Sequence, residues 1–186
     1  MTAAEKLAFT AHDYLDWERQ ETVKHEFVQG ETFAMAGAGE AHVTISLNVA
    51  AALKQHLRGT PCRTYIADMK VRAQAVDAFF YPDVFVTCSS ADEQRNDFKE
   101  EPTLVVEVLS PSTAAYDRGL KFEYYRSLPS LQEYVLIDTE RHSVEVFRRN
   151  DAGQWVLYPF NSQTDVELAS VKLTMPMAVV YEDVGI

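Results

Sequence analysis

The sequence predicts an α/β or α+β layered domain occupying residues 1–186, and three observations carry that reading. Helical and extended patterns follow one another as helix, hairpin, helix, strands, helix, strands, an order that suits a sheet covered by helices. With 186 residues, 47% of them hydrophobic and 24% charged, the chain is long enough to bury one sizeable core. Residues 104–109, LVVEVL, form the nearly continuous apolar run of a strand covered on both faces.

The elements follow in order. Residues 9–19 read as a short helix, with Thr10 as its N-cap and Tyr14, Leu15 and Trp17 on its apolar side. Two extended runs flank Gln29-Gly30, a tight hairpin in which glycine supplies the positive φ. Residues 40–58 hold the longest helical pattern, with Val43, Leu47, Ala50, Ala51 and Leu57 as the expected buried stripe and Gly59 as the stop. Residues 63–66 and 69–72 are short strands. Residues 79–88, FFYPDVFVTC, are a strong strand pattern that Pro82 interrupts, so the strand begins there, bulges there or lies at an edge. Residues 89–102 are polar and charged, which predicts an exposed loop with Lys99 in solvent. The helix after Pro111 has competing caps in Ser112, Thr113 and Asp117, a weak point at Gly119, and an end at Pro129. Strands follow at 132–138, 143–149 and 155–160, then a short strand near 171–173 and a last helical turn at 177–181.

The net charge of −11 argues against a role in non-specific nucleic-acid binding, and it suits a carboxylate-lined metal site. No apolar run reaches the ~18 residues that cross a membrane. The first twenty residues lack a long apolar core and carry Asp13, Asp16 and Glu18, so they do not read as a signal peptide. Cys62 and Cys88 form no CxxC pair and sit in strand-like surroundings, which predicts two free buried thiols and a cytoplasmic protein.

Glu107 is the odd residue of its run. A carboxylate inside an apolar strand must be paired, bound to a metal or protonated. Asp83, just after Pro82, starts the preceding strong strand. If the two strands are neighbours, these carboxylates converge and suit Mg2+ or Mn2+, hard cations that take oxygen ligands. Lys121 on the following helix adds positive charge for a phosphoryl transition state. Plainer readings stand beside each: Asp83 as a turn residue, Glu107 as an arginine partner, Asp117 and Lys121 as a surface pair four residues apart.

The segments HEFVQGE, YPDVFVTC and LVVEVLSPSTAAYDRGLKFEYYRSLPSLQEYVLID resemble the Uma2 family of the PD-(D/E)XK nuclease superfamily, over about residues 10–181. The resemblance implies a restriction-endonuclease-like core, with a central mixed β-sheet flanked by helices and additional N-terminal and C-terminal β-hairpins. It implies a metal-dependent endonuclease that hydrolyses DNA phosphodiester bonds with Mg2+ or Mn2+ held by Asp83 and Glu107. Leu109 stands where the motif lysine belongs, and the lysine role passes to Lys121 on the next helix. Glu26 in HEFVQGE is a third catalytic carboxylate by the same resemblance, and His42 a phosphate contact or helix cap. Tyr124 and Tyr125 read as packing residues rather than nucleotide stackers. A homodimer is expected, with strand edges offered by residues 132–149. The rival reading is a catalytically silent binding or scaffold module on the same fold, which the acidic charge and the absent Glu-x-Lys arrangement favour. Another metal-dependent phosphoester hydrolase would use the same residues.

Overall fold

The structure is a computed structural model that describes residues 9–186; residues 1–8, the start of the stretch read above for a leader, lie outside it. Helix α1 (Ala11–Glu18) begins where the sequence says it should. The Thr10 hydroxyl accepts from the Asp13 amide, and the Asp13 carboxylate accepts from the Thr10 amide at 2.9 Å, a reciprocal cap. Tyr14 pins the helix down by packing on Phe27 and Phe79 and donating to the His25 carbonyl at 2.6 Å. Strands β1 (His25–Val28) and β2 (Glu31–Ala34) form the hairpin. Its turn needs positive φ at both Gln29 (50°) and Gly30 (89°), the two-residue geometry that matches strand twist.

Helix α2 (Glu40–His56) leads to β3 (Arg63–Ile66) and β4 (Lys70–Ala73). The run around Pro82 resolves into two strands, β5 (Ala78–Phe80) and β6 (Val84–Thr87), which enter different sheets. Proline has no amide to give a ladder, and the chain changes sheets there. Residues 89–102 are not an exposed loop. They form α3 (Ser90–Glu93) and β7 (Phe98–Lys99), and Lys99 is only 3% exposed because its ammonium donates to the Asp92 and Arg95 carbonyls. The Asp92 carboxylate is buried with it and accepts from Thr87, Glu100 and Glu101. Local charge signalled solvent, but the buried charges, Lys99 and Asp92, find their partners in the segment and in the adjoining Thr87.

Strand β8 (Pro102–Leu109) is followed by two short helices, α4 (Ala114–Arg118) and α5 (Leu120–Tyr125), broken at Gly119. Then come β9 (Glu133–Asp138), β10 (Ser143–Arg149), β11 (Trp155–Asn161), β12 (Val166–Leu168), β13 (Leu173–Met175) and α6 (Met177–Val180). One sheet has the order β11-β10-β9-β8-β6-β3, mixed because β8 and β9 run parallel. A second has the order β2-β1-β5-β4-β7, and β12-β13 form a C-terminal hairpin. One face of the six-stranded sheet, with Val84, Val106, Val135 and Val146, packs under α2 and the C-terminal segment. The other, with Phe85, Val105, Tyr134 and Leu136, packs under α5 and the second sheet.

Three expectations are corrected. Helix α2 buries Ile45, Val49, Ala50 and Leu53, whereas Val43 is 54% and Leu47 65% exposed. The helix carries two apolar stripes, and its tethers select one: His42 reaches Asp83, Asn48 donates to the Val180 and Glu182 carbonyls, and His56 meets the Val171 carbonyl. Cys62 and Cys88 are joined by a disulfide rather than free. Arg63 pairs with Thr87 in the antiparallel β3–β6 ladder, so the residues just outside that pair come face to face. The thiol-based argument for a cytoplasmic location therefore falls. Finally, β9 and β10 offer no edge, because each is paired on both sides; β11 and β3 are the edges.

Candidate active site

Strand alternation puts Val105, Glu107 and Leu109 on the β8 face that looks toward α5, and Val106 and Val108 on the α2 side. In the β6–β8 ladder Val84 stands opposite Val106, so Asp83, one residue back, lies across from Glu107 at the end of β6. The Asp83 carboxylate accepts from the Val108 amide at 2.7 Å, a donor that β6, broken at Pro82, does not serve. Its other oxygen is 2.8 Å from His42 Nε2 in the first turn of α2.

Glu107 is paired, and its partner is Lys121. The Lys121 ammonium lies 2.9 Å from Glu107 Oε1, 3.0 Å from Glu26 Oε1 and 3.7 Å from Asp117 Oδ1. Tyr125, one turn further along α5, donates to the same Glu107 oxygen at 3.1 Å. Both bonds use Oε1 and leave Oε2 for an incoming ligand. Glu26 comes from β1 and also accepts from the Tyr81 amide at 3.3 Å. Gly119 lets α5 turn sharply off α4, because a Cβ there would meet the Ala115 carbonyl oxygen at 3.1 Å. That turn delivers Lys121 to the sheet.

All the residues expected at the site, Glu26, His42, Asp83, Glu107 and Lys121, are therefore neighbours. Asp117 is not the surface pair it resembles in sequence. It is buried beside Lys121, on a helix whose Asp117 carbonyl accepts from the Tyr134 hydroxyl at 2.9 Å. One tyrosine carries more than packing. The Tyr125 hydroxyl orients Glu107. The one sequence signal for Tyr125 was its spacing of four from Lys121.

The electrostatics follow from burial. Desolvation pushes the Glu107 carboxyl well above its ordinary pKa; Lys121 opposes this, and Asp83, Asp117 and Glu26 reinforce it. Burial alone would pull Lys121 down, but Glu107, Glu26 and Asp117 together outweigh it and hold the ammonium charged. Asp117 is raised too, chiefly by burial. A single ammonium thus faces the carboxyl groups of Glu26, Glu107 and Asp117, with Asp83 alongside. Among the described residues no group of three or more His, Cys, Asp or Glu side chains is arranged to hold a metal by itself. Asp83 and Glu107 nonetheless offer the all-oxygen donors that suit Mg2+ or Mn2+, which commonly take one or two carboxylates and fill the shell with water and phosphate oxygens.

The fold has a solved counterpart. A crystal structure from Anabaena variabilis ATCC 29413, described as "a putative nuclease belonging to DUF820", superposes with a TM-score of 0.76 over 92% of this chain and 97% of that one, at 16% identity. The chain accordingly shares the fold of that structure, a mixed sheet flanked by helices. Two uncharacterized proteins of Synechocystis sp. (strain PCC 6803) are similar over nearly their whole length. The first, slr1290, is 37% identical across 91% of this chain and 89% of its own, and the second, sll1609, is 33% identical across 93% and 99%. The sequence profile described as "Putative restriction endonuclease" matches residues 11–178, and the chain belongs to that family, Uma2.

Proposed function

We propose that the chain acts, as one domain over residues 1–186, as an endonuclease that hydrolyses DNA phosphodiester bonds with the aid of Mg2+ or Mn2+. The observation that supports this most is the convergence of Asp83, Glu107 and Glu26 with the buried Lys121, delivered by four separate elements to one end of the sheet. Family membership supports the nuclease class.

In this reading Asp83 and Glu107 hold the cation, which supplies Lewis acidity at the phosphoryl oxygen and a more acidic bound water. Tyr125 and Lys121 fix one Glu107 oxygen so that the other is free to bind. His42 and the Val108 amide hold Asp83 opposite it. Lys121 sets a permanent positive charge beside the place where the phosphorane gains negative charge, and Glu26 and Asp117 keep its ammonium there. A DNA substrate implies a cytoplasmic location, where the Cys62–Cys88 bond forms only under oxidising conditions. The homodimer passes from the interior strands to the edge strand β11, whose Val156, Leu157 and Tyr158 are exposed.

The scaffold reading draws on one observation, that every acceptor of Lys121 is already a carboxylate of the same chain. Cleavage of supercoiled and single-stranded DNA in Mn2+ separates the two. Asp83→Ala abolishes activity, Lys121→Ala lowers it roughly 10²–10³-fold, and the exposed control Lys54→Ala leaves it unchanged, with folding checked by thermal melting. A wild type that is inert across metals and substrates leaves the scaffold reading standing.

A further inference from the structure

Building on the nuclease reading above, we infer that the site takes single-stranded DNA and grips it by stacking an unpaired base on Phe33. Phe33 of β2 pairs directly with Glu26 of β1. Opposite residues of an antiparallel pair project from the same face, so the ring stands beside the carboxylate that holds Lys121. Phe27 on the adjacent strand β1 and Phe79 and Phe80 on β5 beyond it are fully buried, whereas Phe33 is 50% exposed.

Charge argues for the same class of substrate. The elements that build the site are β1, β2, the first two turns of α2, β5, β6, β8, α4 and α5. Their only lysine or arginine residues are Lys121 and Arg118. Lys121 is shared among three carboxylates, and Arg118 is bound to Glu145. The exposed Glu31 lies on the Phe33 strand, and the exposed Glu40 starts α2. Duplex DNA carries a phosphate charge about every 1.7 Å and is held mainly by neutralising those charges. Among the described residues, these elements leave no spare cation with which to do so. A base in a single strand offers its flat face instead, and aromatic stacking holds it whatever its sequence.

The test measures binding and cleavage separately. A labelled single-stranded oligonucleotide and its duplex are titrated in Ca2+ with wild type, Phe33→Ala and Phe33→Tyr, and cleavage of both is followed in Mn2+. The expected result is tighter binding of the single strand by wild type and a roughly 10-fold loss for Phe33→Ala on the single strand only. Phe33→Tyr retains the affinity. In cleavage, Phe33→Ala raises KM and leaves kcat unchanged, a split that a general loss of fold does not produce. Wild type that prefers duplex, or Phe33→Ala that binds the single strand like wild type, overturns the stacking. In that case cleavage that still depends on Asp83 leaves the nuclease reading intact. Failure to bind or cut either DNA overturns both.

Discussion

Glu107 ties stability to pH in a definite direction. Its folded pKa lies above its unfolded one, which is near the ordinary value of about 4.3. Below that ordinary value both states are protonated, and the stabilisation from the protonated carboxyl is fully present. As pH rises the unfolded chain releases its proton first, so stability of the metal-free protein falls until Glu107 itself ionises. Thermal melts from about pH 5 to about pH 8 should show Glu107→Gln gaining on wild type as pH rises, and Mn2+ raising the wild-type melting temperature more at the alkaline end. Substituting Lys121 is expected to destabilise, whereas Glu107→Gln is not. Replacing Lys121 with methionine leaves Glu26, Glu107 and Asp117 without their cation, and urea unfolding at neutral pH should register a loss of about 3–5 kcal/mol. Asp83, Glu107 and Lys121 were legible because ionisable groups interrupt apolar or motif-bearing runs. Asp117 and Lys99 were not. A residue on a short helix or in a charged segment looks solvated until its distant partners are known, and for Lys99 those partners are carbonyls that leave no trace in side-chain patterns.

At the scale of elements, the order of helices and strands was readable, and their rotation and register were not. The α2 pattern contained both stripes, and only the tethers from His42, Asn48 and His56 decided between them. The cysteines are 26 residues apart, and nothing local announced that β3 and β6 would pair in the register that joins them. Closing a loop of that size stabilises by about 3 kcal/mol through the unfolded chain. Reduction with dithiothreitol, or Cys62→Ser together with Cys88→Ser, should lower the melting temperature and leave Mn2+ binding in place, because the bond sits at the far end of β6 from Asp83. Gly119→Ala should act the other way. It crowds the Ala115 carbonyl, displaces α5, and so weakens Mn2+ affinity by more than it lowers stability.

The whole molecule has two unequal edges in its main sheet. β3 is tied to β6 by the disulfide, while β11 presents Val156, Leu157 and Tyr158 around Pro159. The proline interrupts any continuous ladder along that edge, so a second copy would meet it through side chains. Sedimentation of wild type as a dimer and of Leu157→Glu as a monomer is the expected outcome. The parallel pairing of β8 with β9 also sets the order of events in time. Residues 110–132 must close before these strands can meet, whereas β9, β10 and β11 join through turns of four and five residues. On that ground the meander is expected to form early, with Glu107 in water until α4 and α5 dock. A cation present during refolding then leaves the slow step untouched and acts only on escape, slowing unfolding. The charge cluster would thus work as a latch on a structure already assembled.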